Sequence, residues 1–299
     1  MTTFPVADDV YGISLDEAET LAAYLVVDEE PAIVETGTAE GASALLAGVE
    51  AAGVDTASLR HAVIGHYHLD HAGGALALLD AAPELTCYIH ESMAGWVTDQ
   101  DRFETLVEST ASALAGQFEG MGAPERPIPD DRLRRVGDDG LDVGLGETTL
   151  EIVHTPGHTP DHVSAYLSDR DVLFANEAIG RFFPRTGAFH PPVTVPTFDI
   201  EATAASIDRL EALDASVVAL SHYGVHDDPT ALFERARREL ERFPRRIGEL
   251  YEACDEDLAE TVAAVRRELI DLDDGYPDTV AAVQADVCTR GFLRATGRL

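Results

Sequence analysis

Lysine is missing from this 299-residue chain: its 21 basic side chains are all arginines, set against 55 aspartates and glutamates, for a formal net charge of -34. The absence excludes whole chemistries. No Schiff-base lysine and no phosphate-loop lysine can exist, so pyridoxal enzymes and Walker-type nucleotide hydrolases are ruled out. Binding a polyanion needs a basic stripe, which the sequence does not offer, so nucleic acid and anionic membranes are not expected partners. Cysteine is scarce as well. Cys87, Cys254 and Cys288 stand far apart, which argues against a disulfide framework or a thiolate zinc knuckle, and they are expected to be small buried apolar residues. No apolar run approaches the roughly 18 residues of a membrane span, and Met1 to Val10 shows no basic segment followed by an apolar one; a cytoplasmic protein is expected.

So large an acidic excess repels itself unless counterions screen it, a lever that halophiles use. The composition therefore suggests a source that keeps concentrated salt in its cytoplasm. Otherwise it is that of an ordinary folded protein, 45% hydrophobic and 25% charged, and long enough to bury a full core.

The chain centres on His66-Tyr67-His68-Leu69-Asp70-His71, which sets four potential metal ligands within six residues directly after the apolar run Ala62 to Gly65. That run reads as a buried strand. Gly73-Gly74 then opens the helix-like Ala75 to Leu79, so the ligands are expected on the intervening loop. Two further histidines also close apolar runs: His158 follows Thr149 to Val153, and His222 follows Val217 to Leu220. Imidazole and carboxylate suit zinc first, with iron or manganese as alternatives.

These residues together resemble the metallo-β-lactamase fold superfamily, whose first motif is His-x-His-x-Asp-His and whose later ligands come from distant loops. The resemblance spans roughly Tyr11 to Asp227. It implies an α/β protein of the αββα sandwich type, with His66, His68 and His158 on one divalent ion and Asp70, His71 and His222 on a second. The family's bridging aspartate, in a Gly-Asp pair after a strand, falls here on Asn176-Glu177, a departure from the pattern. The resemblance further implies a dinuclear metallohydrolase acting on a small molecule. In that reading a bridging hydroxide attacks an ester, thioester, lactone or phosphoester, and Asp70 orients it and passes on its proton. An iron-dependent redox enzyme of the same fold, or a metal-bound regulatory scaffold with little turnover, are the alternatives.

Taken in order, Leu21 to Val27 and Ala32 to Glu35 read as a hairpin, Ala42 to Ala52 as a helix, Leu85 to Ile89 as a strand, and Glu91 to Phe118 as one long helix. Leu141 to Leu145, Thr148 to Val153 and Val163 to Leu167 supply a second set of strands. A loop rich in proline and aromatics runs from Arg181 to Phe198 without visible periodicity and should border the site; Arg181, Arg185 and His190 in it are candidate substrate contacts. Ile200 to Leu213 reads as a helix and Ser216 to Leu220 as a strand. Residues 1–227 are expected to form the metal-binding domain. From Asp228 the chain is helical and charged, punctuated by Pro244, Gly275-Tyr276-Pro277 and Gly291, and is expected to form a C-terminal helical cap over 228–299. His61, His90, His154, His162 and His226 are expected to be structural or supporting.

Overall fold

In the computed structural model, which describes residues 3–114, 118–272 and 274–299, two sheets stack between two helical layers. The first sheet takes its strands in chain order: β1 (Thr3–Ala7), β2 (Val10–Ser14), β3 (Ala22–Val26), β4 (Ala32–Val34), β5 (His61–Val63), β6 (Thr86–His90) and β7 (Leu133–Val136). Its first four strands are antiparallel and its last four parallel. In the second sheet, β8 (Leu141–Gly144), β9 (Thr149–His154), β10 (Val163–Leu167) and β11 (Val172–Asn176) form an antiparallel meander. A small hairpin, β12 (Arg181–Phe183) with β13 (Ala188–His190), stands apart, and β14 (Val217–Leu220) then joins β11 in parallel before β15 (Gly224–His226) closes the edge.

Alternation along single strands explains the layering. In β3, Ala23 and Leu25 face the outer helices while Ala22, Tyr24 and Val26 face the opposite sheet, and in β11 Leu173 and Ala175 point outward while Val172 and Phe174 meet Tyr24 between the sheets. Strands buried on both faces read as continuous apolar runs, which is how these segments look in sequence. The outer face of the first sheet is covered chiefly by α1 (Ala42–Ala51) and α3 (Ala75–Ala81). Between these two lies the one-turn α2 (Leu69–Ala72).

The long helix expected over Glu91 to Phe118 is broken. It comprises α4 (Gly95–Thr98) and α5 (Gln100–Leu114), followed by α6 (Phe118–Met121); the stretch 115–117 lies outside the described residues. Asp99 causes the first break: it takes an extended conformation, and its carboxylate accepts from the Arg102 N–H at 3.1 Å, acting as the cap of α5.

The outer face of the second sheet packs against α7 (Ile200–Glu211), α8 (Pro229–Ala253), α9 (Leu258–Leu269) and α10 (Asp278–Ala295). Asp199, Asp228 and Asp257 cap α7, α8 and α9. Neither Pro244 nor Gly291 punctuates the chain: α10 continues through the buried Gly291, and α8 runs through Pro244 for 25 residues, held by a buried stripe that includes Phe233, Ala236, Leu240, Phe243 and Ile247 at three- and four-residue spacing. Phe243 and Phe292 share one apolar cluster with Leu173 and Val218, so the C-terminal helices and the second sheet are packed as one core.

The strand directions fix where function can sit. β4 and β5 run parallel, as do β11 and β14, and β9 points the same way as β11 across β10. The loops leaving β4, β5, β9, β11 and β14 carry Glu35, His66, His158, Glu177 and His222.

Candidate metal centre

His66 and His68 leave β5 on a loop, whereas Asp70 and His71 belong to α2, so the motif expected to be all loop ends in a helical turn. That turn lets one short segment feed two groups: His66 and His68 meet His158, while Asp70 and His71 meet His222. Close packing holds it in place. The Thr36 hydroxyl donates to the His71 carbonyl at 2.5 Å, and a Cβ on Gly73 would lie 2.3 Å from the Leu69 carbonyl oxygen and one on Gly74 2.1 Å from that of Thr36. The double glycine is therefore required by the approach of two backbones.

Two triads result. His66 Nε2, His68 Nδ1 and His158 Nε2 lie 2.9, 3.1 and 3.4 Å from one another. His71 Nε2 and His222 Nε2 are 3.2 Å apart, with Asp70 Oδ2 at 3.7 and 3.6 Å from them. Tetrahedral zinc with bonds of about 2.0–2.1 Å would hold its ligand atoms about 3.3 Å apart, which is the scale of both groups. Glu177 Oε2 stands between them, 3.3 Å from His158 Nε2, 3.2 Å from His71 Nε2, 3.4 Å from His222 Nε2 and 3.9 Å from His66 Nε2. The structure thus brings together all seven residues that the motif comparison implied.

The remaining ring nitrogens decide what this cluster is for. His71 Nδ1 donates to Glu35 Oε2 at 3.0 Å, His158 Nδ1 to the Pro192 carbonyl at 2.8 Å, and His222 Nδ1 to the Thr20 carbonyl at 2.9 Å. With these outer protons so placed, the Nε2 atoms of His71, His158 and His222 converge on a buried carboxylate oxygen that has no hydrogen-bond partner among the described residues, and the neutral His158 presents a lone pair there. Lone pairs gathered on an anion repel unless cations lie between them, and an outer N–H held by an oxygen is the pattern of ligating histidine. The donor set fits two divalent ions.

Burial and charge agree. His66, His71, His158 and Glu177 are buried, whereas His68 and Asp70 are partly exposed, so each triad has one ligand within reach of solvent. Burial pushes the His158 imidazole down to about 3 and that of His68 to about 4, leaving both neutral at physiological pH. Burial also favours a neutral Asp70, but the neighbouring His71 and His222 outweigh it and hold the carboxyl down to about 2. For His71 burial is again opposed, here by Glu35 and Asp70, and its pKa rises.

Several supporting residues carry no motif. Glu35, in the left-handed region at φ 72°, orients His71; the Tyr67 N–H donates to Asp161 Oδ2 at 2.9 Å and fixes the first ligand loop; and the Glu177 N–H donates to His162 Nε2 at 3.2 Å. Burial raises the Asp161 carboxyl to about 7. Only His162 had been expected to support the site.

The loop expected over 181–198 contains the β12–β13 hairpin, whose three-residue strands are too short to show a period. Arg181 Nε donates to Glu177 Oε1, so this guanidinium is engaged within the centre. Arg185 is turned elsewhere: it donates to the Glu17 carbonyl, pairs with Glu19 at 3.6 Å and lies over the Tyr276 ring. His190 is buried between Phe183 and Phe243, and burial pushes it down to about 3.

A further group, His90, Asp138 and His154, gathers nearby. His90 Nε2 and His154 Nδ1 lie 3.1 and 3.5 Å from Asp138 Oδ1, but the two rings stack with centroids 4.0 Å apart and planes 11° from parallel. A ligand lone pair lies in the plane of its ring, and no ion can occupy two parallel planes at once. This group is a stacked pair sharing a carboxylate.

Comparison with known proteins agrees with the fold. The metallo-beta-lactamase superfamily model matches residues 20–222. A metallo-beta-lactamase fold-containing protein of Sulfurisphaera tokodaii, ST1585, is 27% identical over 168 residues, 56% of this chain and 61% of the relative; its crystal structure superposes with a TM-score of 0.65 over 77% of this chain and 85% of that one, at 22% identity. The probable metallo-hydrolase YflN of Bacillus subtilis is 22% identical over 73% of this chain and 85% of its own, and the acyl-coenzyme A thioesterase MBLAC2 of Bos taurus is 27% identical over 40% of each. With a family match across two thirds of its length, an αββα sandwich, and histidine clusters at the strand ends that could bind metal, the chain belongs to the metallo-beta-lactamase superfamily, whose members are typically metallohydrolases.

Proposed function

We propose that the protein is a dinuclear metallohydrolase for small esters, thioesters, lactones or phosphoesters, acting in the cytoplasm of a salt-adapted cell. The observation that carries this reading is the convergence of two three-ligand groups on Glu177 Oε2. His66, His68 and His158 would hold the first ion, Asp70, His71 and His222 the second, and Glu177 would serve both; zinc suits the set best. Two divalent ions supply Lewis acidity, which polarises the substrate oxygen and brings the pKa of water toward neutrality. The chain does the rest. Asp70, partly exposed and ionised, is placed to orient the attacking water and receive its proton. The outer acceptors Glu35, Thr20 and Pro192 keep the imidazoles of His71, His222 and His158 in one tautomer.

The similarity to an acyl-coenzyme A thioesterase supports a thioester among these classes. The -34 charge favours a substrate less anionic than a coenzyme A ester. The test is elemental analysis of protein purified in concentrated salt, with hydrolysis assays on one substrate of each class. Two ions per chain and a hydrolytic activity abolished by His68→Ala are expected. Iron with oxygen consumption and no hydrolysis would overturn the reading in favour of a redox enzyme.

A further inference from the structure

The two oxygens of Glu177 have different partners. Oε2 faces both triads, whereas Oε1 accepts a hydrogen bond from Arg181 Nε at the start of β12. The backbone beneath is fixed independently. Asn176 sits in the left-handed region at φ 53°, its amide donates to the Val163 carbonyl at 2.9 Å, and the Glu177 N–H is held by His162. What the backbone leaves free is rotation of a long carboxylate, and a glutamate has one more rotatable bond than the aspartate of the family pattern. We infer that Arg181 is a positioning residue that withholds Oε1 from the ions, so that Glu177 serves both through Oε2 alone.

The physical argument is one of competing partners. A free carboxylate between two dications can turn to offer one oxygen to each or chelate one with both, and either choice changes the separation of the ions. Arg181 can prevent this because its guanidinium is permanently charged, only 17% of its side chain is exposed, and it forms a charge-assisted bond to the oxygen that must stay out. An aspartate at 177 would fall short of Arg181 by about 1.5 Å, the length of the missing bond. The extended side chain and the arginine therefore form one device, which also ties the hairpin beside the centre to the metal ligands.

This inference rests on the dinuclear reading, and the experiment separates the two. Protein stripped of metal is titrated with manganese(II) in the presence of a competing chelator, and the electron paramagnetic resonance of the loaded pair is recorded for the native chain, Arg181→Ala, Arg181→Lys, Glu177→Asp and the Arg181→Ala/Glu177→Asp double variant. Native protein that takes up fewer than two ions would overturn the dinuclear reading itself. With two ions bound, Arg181→Ala is expected to lose 10- to 100-fold in affinity for the more weakly held ion, the range typical of groups that orient ligands, and to show an altered exchange coupling. Arg181→Lys should recover part of both, and keeps the test open if the alanine variant fails to fold. In the Glu177→Asp background the Arg181→Ala loss should shrink to less than about threefold, because the partner is already out of reach. Equal losses in both backgrounds, or an unchanged coupling signal in Arg181→Ala and Arg181→Lys, would show that the arginine merely supports the hairpin and would overturn the inference.

Discussion

Glu35 is the residue through which the second ion should be most sensitive to a change outside the ligand set. It is 1% exposed, its Oε2 lies 3.0 Å from His71 Nδ1, and it packs directly over Gly65, where an added Cβ would come within 2.1 Å of Oε1. The outer partners of His158 and His222 are neutral carbonyls, whereas His71 alone of these three leans on a carboxylate. Glu35→Gln keeps the shape and an oxygen acceptor but removes the charge. A hydrogen bond to a charged group is worth about 1.5–3 kcal/mol against about 0.5–1.5 for a neutral one, so roughly 1.4 kcal/mol, or tenfold in second-ion affinity, should be lost. Glu35→Ala leaves a buried N–H unpaired and should approach about 100-fold, the upper end for such partners. Gly65→Ala, by displacing Glu35, should fall between them.

The assay is two-phase chelator competition with zinc, which reads each ion separately. The first ion, on His66, His68 and His158, should bind within about threefold of native in all three variants, since these ligands do not touch Glu35. Asp138→Asn, in the stacked His90–His154 group, serves as the control and should change neither phase. Equal weakening of both ions in Glu35→Gln, or none in Glu35→Ala, would refute the assignment of His71 to a separate second triad.

Proton competition should also differ between the triads. His158 and His68 are held near 3 and 4 and lose no proton on binding at neutral pH, so first-ion affinity should be flat from about pH 6 to 8, whereas His71 has a raised pKa and must release a proton. Second-ion affinity should therefore fall about tenfold per pH unit on going below the His71 pKa; parallel pH profiles for the two ions would contradict this. Folding should require salt near or above 1 M, where screening acts over about 3 Å and blunts the repulsion of the -34 charge; a melting temperature unchanged on dialysis into dilute buffer would sink the claim.

Most of the fold is visible in the sequence wherever an element is set by its own residues. The hairpin around Asp28 to Pro31, the helix after Gly41 and the buried strands ending at Val63, Asn176 and Leu220 are marked by apolar runs and turn residues, and the structure has them within a residue or two. The misreadings have local causes. Asp99 is a helix cap hidden inside a pattern that continues across it, and Pro244 falls inside a helix whose apolar stripe outlasts the interruption. The β12–β13 hairpin depends on Phe183 and Phe189 finding the C-terminal helices, a contact that no window of sequence contains.

The centre divides along the same line. Its candidate ligands are legible because metal binding demands particular residue types at the ends of particular strands, and the residues brought together include the histidines and aspartate of the His-x-His-x-Asp-His segment together with His158, Glu177 and His222. Their partners are not legible, because orientation demands only an oxygen or a guanidinium in the right place. Glu35 reaches His71 through the parallel pairing of β4 with β5, and the carbonyls of Thr20 and Pro192 serve whatever their side chains are. Arg181 was visible as a basic residue near Glu177 but not as its partner. Four residues apart in a helix would make the pair routine; here a turn intervenes and Arg181 opens β12, so the register with His190 fixes which way the guanidinium points. The glutamate at 177, where the family pattern has aspartate, is the sequence feature that sets this carboxylate apart, and its added bond brings Oε1 within reach of Arg181. With no lysine in the chain, a donor to that second oxygen can only be an arginine, a hydroxyl or another N–H, and the structure supplies Arg181.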